Sequence, residues 1–250
     1  MAVRAWTEKI FHGKEAEDFK LQDEVYEWFL EVVFCAYEKA KSDLIRRMIL
    51  VKIIHTREVV QAGFDITRAE NGFIWNENMV GTVCLLHDIG RFDQALLGSY
   101  SDEKTKYDHA LVGSEMISEH EFTSLSSMDI EKEIVVEAVR NHSLFQYDGD
   151  DIYAKLTRDA DKLALLRSMS EILEAKIGER EEKGVTEGAL AAFRSGKMVR
   201  NRDMKTRADL FLAWLGWEVD FNFPATKIYF ENEGIRGWMV DELKRLGVEI

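Results

Sequence analysis

An all-α fold is predicted by three features of the chain. Its 250 residues contain one proline, Pro224, the residue that long helices exclude and strand-and-turn proteins use freely. Apolar residues recur at helical spacing along most of the length. No repeat or low-complexity linker interrupts them, so one compact domain is expected over residues 1–250.

The elements follow in order. Glu15 to Lys41 carries Phe19, Val25, Trp28, Phe29, Val32, Val33 and Ala36 as one stripe, which predicts a long first helix. Ser42-Asp43 offers a cap for the next helix, through Ile45, Met48, Ile49 and Ile53. The polar, glycine-containing stretch from Ala62 to Asn78 reads as a loop or broken helix, and the apolar run from Val80 to Leu86 as a helix stopped at Gly90. Further helices are predicted over Asp108–His120, Asp129–His142, Ile152–Lys176 and Glu187–Ser195. Arg207–Leu215 and Arg236–Leu246 read as helical as well. Between them Val219, Phe221 and Phe223 alternate, as Lys227 to Phe230 do in part, which admits a short extended piece.

With 46% hydrophobic and 32% charged residues, the composition excludes a disordered tail. No stretch approaches the ~18 uninterrupted apolar residues of a membrane span. The N-terminal residues lack the apolar core of a signal peptide, so a cytoplasmic protein is expected. Cys35 and Cys84 form no CxxC pair and read as small buried hydrophobes. A net charge of −13 argues against duplex nucleic acid as a partner. It leaves room for a small anion, because a metal ion inverts the local sign.

The histidines carry the chemistry. His87 continues the stripe Val80, Val83, Cys84; His142 continues Val135, Ala138, Val139; His109 opens Val112, Gly113, Met116, Ile117; His55 lies four residues from Val51 and Val59. Each imidazole is therefore expected to point inward. Asp88 adjoins His87, and Asp161 starts the stripe Ala164, Leu165, Ser168, Met169, Ile172. An inward carboxylate is costly unless it is paired or binds a cation, and inward imidazoles with carboxylates suit a metal site between helices. Periodicity does not choose the ligands: His120 lies on the His109 stripe too, about 16 Å further along a straight helix. It also leaves Asp159 and Asp161 nearly tied. His12, with no apolar pattern around it, reads as surface.

In the order His55, His87-Asp88, Asp161, these residues resemble the HD-domain metal-dependent phosphohydrolases, over about residues 48 to 175. The contexts Ile53-Ile54-His55-Thr56-Arg57, Leu85-Leu86-His87-Asp88-Ile89-Gly90 and Asp159-Ala160-Asp161-Lys162-Leu163 carry the likeness, and the last selects Asp161. Asp108-His109-Ala110 and Asn141-His142-Ser143 look like the two-metal members, and the run from His87 through Gly90-Arg91-Phe92 to Gln94 resembles a stand-alone bacterial subgroup. The resemblance implies a helical bundle flanked by helical extensions at 1–47 and 176–250. It implies two divalent transition metal ions: one on His55, His87, Asp88 and Asp161, the second on His109 and His142 with Asp88 bridging. Iron or manganese suits that family; zinc, cobalt and nickel fit the same donors. The implied activity is hydrolysis of a nucleotide or another small phosphoester or phosphoanhydride by a metal-bridging hydroxide, with Asp88, Arg91 and Lys162 in catalytic roles and Arg91 and Lys162 gripping phosphate.

Two further readings share this ligand set: a diiron oxygenase on the same fold, and a nucleotide-binding regulatory module without chemistry. Asp93 and Gln94 are candidates for supporting the ligands. The basic run from Arg194 to Arg207 reads as a solvated connection rather than a lid, and Trp214, Trp217, Phe221 and Phe223 as core rather than a base-stacking platform.

Overall fold

The computed structural model describes residues 2–12, 21–123, 125, 130–168 and 184–250. Every element among them is helical, as predicted, and none of the helices is long and apolar enough to cross a membrane. By internal contacts the chain divides into two compact units, Met1–Asp161 and Lys162–Ile250, where the sequence reading has one body with extensions.

The first unit begins with α1 (Ala2–His12), α2 (Asp23–Lys39) and α3 (Asp43–Ala69). Phe19 and the start of the first predicted helix lie outside the described residues. Ser42 caps α3, its hydroxyl accepting from the Ile45 amide at 3.3 Å. The helix then runs to Ala69, so of the loop or broken helix expected over Ala62–Asn78 the break is found, but it is confined to 70–76 between two helices. Gly63 lies within the helix at a tight contact: a Cβ there would sit 2.5 Å from Cys84 Sγ, so its missing side chain admits the next helix.

That helix, α4 (Glu77–Leu86), buries every residue from Met79 to Leu86, as a central helix must when neighbours surround it. It stops at His87, and the chain restarts as α5 (Ile89–Ala95), with Asp88 at φ −108°, ψ 23° between them. Gly90 is therefore no helix stop; it lies in the first turn of α5. Short α6 (Asp102–Thr105) leads to α7 (His109–Glu119), whose start Asp108 caps through Oδ1 to the amides of Ala110 (3.2 Å) and Leu111 (3.0 Å). Packing follows as α7 on α5 and on α8 (Lys132–Asn141), and α8 on α4. Finally α9 (Ile152–Arg167) carries the division between the units; the predicted extension to Lys176 lies beyond the described residues from 169 on.

The second unit contains α10 (Glu187–Arg194), α11 (Arg207–Gly216), α12 (Pro224–Asn232) and α13 (Ile235–Arg245). Thr206 and Asp209 form a reciprocal capping box on α11. The extended piece expected near Val219–Phe230 is corrected to a 3-10 turn at Trp217–Asp220 and to α12, which Pro224 opens at a position where its missing N–H costs nothing. Trp214 is buried and Trp217 and Phe221 pack on the same core as Phe211, Phe230 and Leu243. The basic run joins α10 to α11, Arg194 donating to Glu249 O and Arg207 to Glu242 Oε2, both at 3.3 Å. Cys84 is buried as expected; Cys35, exposed, is not.

A close backbone approach joins α5 to α7. A Cβ on Gly90 would lie 2.3 Å from the carbonyl oxygen of His109 and 2.9 Å from the amide of Gly113. Both obstacles are backbone, so no side chain can yield. Gly90→Ala is expected to cost about 1–3 kcal/mol of stability, read as a lowered urea midpoint. Gly72→Ala, with nothing within 4 Å, should stay within about 0.5 kcal/mol of the parent.

Candidate metal centre

Asp88 gathers the site. Its carboxylate is buried at the break between α4 and α5, a backbone position that aims the side chain across the helices rather than along one. Oδ2 faces His87 Nε2 at 3.4 Å and His55 Nε2 at 3.8 Å. Oδ1 faces His109 Nε2 at 3.4 Å and His142 Nε2 at 3.5 Å. His55 Nε2 in turn lies 3.0 Å from Asp161 Oδ1. All six predicted ligand residues are therefore in one cluster, and the four imidazoles divide into two pairs, one on each oxygen of Asp88.

The imidazoles are aimed by their other nitrogens. His87 Nδ1 lies 2.8 Å from Cys84 O, and His142 Nδ1 lies 2.6 Å from Val139 O. A carbonyl only accepts, so each Nδ1 carries the hydrogen and, in the neutral ring, each Nε2 presents a lone pair to the cluster. His109 Nδ1 donates likewise to Asp102 Oδ2 at 2.8 Å. Two lone pairs then confront one another, because His109 Nε2 and His142 Nε2 are 3.3 Å apart. His55 Nε2 and His87 Nε2 are buried and make no hydrogen bond of good geometry. Such an arrangement is unfavourable unless a cation sits among the donors.

The spacings meet that requirement. His109 Nε2, His142 Nε2 and Asp88 Oδ1 form a near-equilateral triangle with edges of 3.3, 3.4 and 3.5 Å. A first-row ion bonded at ~2.0–2.1 Å places neighbouring ligands about 3.0–3.4 Å apart. The other set, His55, His87 and Asp88, also lies within reach of a single ion, with Asp161 beside it. Imidazole and carboxylate donors suit a divalent transition metal, so the residues fit the group.

The electrostatics agree. Burial pushes the Asp88 carboxyl up, but Lys52 and His87 more than offset it and hold it well below the usual range. Burial, with Lys52 second, pushes His55 down to about 4, so the imidazole is neutral near pH 7. Asp161 is pushed up by burial and down further by the adjacent His55, ending below the ordinary carboxylate range. Burial lowers His109 despite Asp102. Burial pushes His87 down, but Asp88 more than offsets it and raises it. Asp88, Asp161, His55 and His109 are thus biased toward their ligating forms, while His87 is biased toward the imidazolium that an ion would have to deprotonate.

Three supporting residues escaped the sequence reading. Lys52, one turn before His55 on α3, places Nζ 2.5 Å from Asp88 Oδ2; its spacing to His55 was the available signal. Asp102 lies in a four-residue helix with no stripe to reveal it. Arg158 is fully buried and Nη1 donates to the carbonyls of Asn141 (3.1 Å), His142 (3.2 Å) and Leu144 (2.6 Å), tying down the end of α8 at His142.

The remaining candidates lie as follows. Arg91 Nε is 3.4 Å from Asp88 Oδ1, while Nη1 donates to Gln94 Oε1 (2.5 Å), Tyr100 O (2.7 Å) and Asp102 Oδ1 (2.8 Å). Gln94 Nε2 reaches Asp102 Oδ1 at 2.7 Å, whereas Asp93 is exposed. Lys162 Nζ lies 2.5 Å from Asp220 Oδ2 within the second unit. Asp159 is fully buried and His120 stacks on Trp28 with centroids 4.6 Å apart.

Neither a curated protein nor a solved structure matches the chain. Residues 53–166 match the family model of the HD domain, a family made up in the main of metal-dependent phosphohydrolases, and this stretch holds all six candidate ligands.

Proposed function

We propose that the chain is a two-metal phosphohydrolase acting on a small phosphorylated substrate, a nucleotide being the leading class. The observation that carries this reading is the division of four imidazoles between the two oxygens of Asp88. His55, His87, Asp88 and Asp161 would hold one ion; Asp88, His109 and His142 the other, with iron or manganese the first choice. Such ions, when bound, lower the pKa of water and neutralise charge on phosphoryl oxygens.

The protein's own part is orientation and charge. Cys84 O and Val139 O hold His87 and His142 in one tautomer, and Asp102 does the same for His109. Asp102 is itself held by Arg91 and Gln94, so Arg91 supports the second set of ligands through its scaffold contacts. Its Nε, beside Asp88 Oδ1, is the atom through which Arg91 would reach a phosphoryl oxygen. For Lys162 to grip substrate, its pair with Asp220 would have to open.

Elemental analysis of protein purified without oxygen or chelator should find about two metals per chain, falling to about one in a His109→Ala, His142→Ala double variant. One metal in both proteins would remove the second site, and none after reconstitution would sink the reading. Asp88→Ala should lose at least ~10³-fold of phosphoester turnover, assayed over a panel of nucleotides and simple phosphoesters. Turnover that needs dioxygen and releases no phosphate would select the oxygenase instead. Asp102→Ala should weaken binding of the second metal about 10–100-fold while leaving the first within a few-fold, as two-phase manganese titrations would show. Asp102→Asn, which keeps an acceptor for His109, should lie between Asp102→Ala and the parent.

A further inference from the structure

Three of the cations near the ligand carboxylates, Arg91, Lys162 and Lys52, differ in their fates. Arg91 spends Nη1 on Gln94, Tyr100 and Asp102, and Lys162 is paired with Asp220. Lys52 instead sets its ammonium on a ligand atom: Nζ is 2.5 Å from Asp88 Oδ2, and its side chain is 15% exposed. The ammonium also lies 5.5 Å from the centroid of the Tyr100 ring. That ring is fixed, because the Tyr100 hydroxyl donates to Met48 O at 2.8 Å, one turn earlier on α3. Burial and the Asp88 charge raise the Tyr100 hydroxyl above its ordinary pKa, so it remains a donor.

Asp88 Oδ2 is the oxygen shared by His55 and His87. It cannot hold an ammonium at 2.5 Å and a divalent cation together, since two positive charges a few ångströms apart repel strongly where water is scarce. The lysine can yield: its charge rides on a flexible four-carbon stem, and Tyr100 offers a π face along which it can shift. Displaced but still anchored one turn from His55, the ammonium stays within reach of whatever anion lies against the ligands.

We infer that Lys52 is a two-position cation, which competes with the metal for Asp88 Oδ2 and, once displaced, contacts a phosphoryl oxygen of the substrate. The inference rests on the phosphohydrolase reading for its second half only; competition for Asp88 follows from the contact itself.

Metal-stripped parent, Lys52→Met and Lys52→Arg proteins would be titrated with manganese by calorimetry, then with inorganic phosphate after manganese loading. Lys52→Met should bind the first manganese about tenfold more tightly and, once loaded, bind phosphate about tenfold more weakly. Lys52→Arg, which keeps the charge, should return both values toward the parent. Thermal melts of each protein would confirm folding, and if Lys52→Met does not fold, Lys52→Gln takes its place. Manganese affinity unchanged or weakened in the charge-free variant would overturn the competition, and unchanged phosphate affinity would overturn the substrate contact. A parent that binds manganese and phosphate as described yet hydrolyses no phosphoester would defeat the functional reading and leave this inference standing.

Discussion

The carboxylate of Asp88 is the constraint on which the rest of the site depends. A buried charge costs several kcal/mol unless partners surround it, and here each oxygen has them. Lys52, His87 and His55 face one; Arg91, His109 and His142 face the other. These partners come from α3, from the junction of α4 and α5, from α5 itself, from α7 and from the end of α8. The bundle must therefore close around Asp88 before its charge is compensated. The same concentration of negative charge and imidazole nitrogens suits a divalent cation, so folding and the binding of an ion would draw on one set of contacts.

Helix ends provide the aim. The last carbonyls of a helix lack partners within it, and twice the chain uses one to pin the imidazole three residues on. Cys84 O holds His87 at the end of α4, and Val139 O holds His142 at the end of α8. In both cases an unpaired acceptor becomes a tautomer lock, with no added residue. His109 stands at the opposite kind of terminus, the first residue of α7, where no such carbonyl is within reach. Asp102 supplies the acceptor instead, and needs Arg91 and Gln94 to keep it in place.

This difference explains what could be read in the sequence. His87 and His142 continue apolar stripes because their helices carry them to the core, so spacing displays them. Asp161 was separated from Asp159 by local context alone, and both prove to lie inside or at the edge of the unit's interior. Lys52 was hidden because a lysine on a helix normally marks the solvated face. Asp102 and Arg158 left no signal, since their roles are hydrogen bonds to atoms distant in sequence. Gly63 gives a misleading signal too: it suggests a broken helix, yet it sits inside α3, where its missing Cβ admits Cys84 Sγ. Near the C-terminus, alternation at Val219, Phe221 and Phe223 imitated a strand. Those residues lie instead in and after a 3-10 turn, just before Pro224 starts a helix.

The two cations at Asp88 divide fixed from movable charge, and their chemistry matches the division. Arginine offers a planar fork whose nitrogens can serve several acceptors at once. Arg91 does this, joining Gln94, Tyr100 and Asp102 through Nη1 while turning Nε to Asp88. Moving it would release Asp102, and with it the orientation of His109. Lysine presents one compact charge on a flexible stem, and Lys52 is anchored by helix α3 rather than by a network. On the proposed reading the site holds its ligands rigid and exchanges charge as anions enter and leave, which needs both kinds. Exchanging the two residues would join a movable charge to the scaffold and a fixed one to the ligand oxygen, which is the wrong assignment for either task.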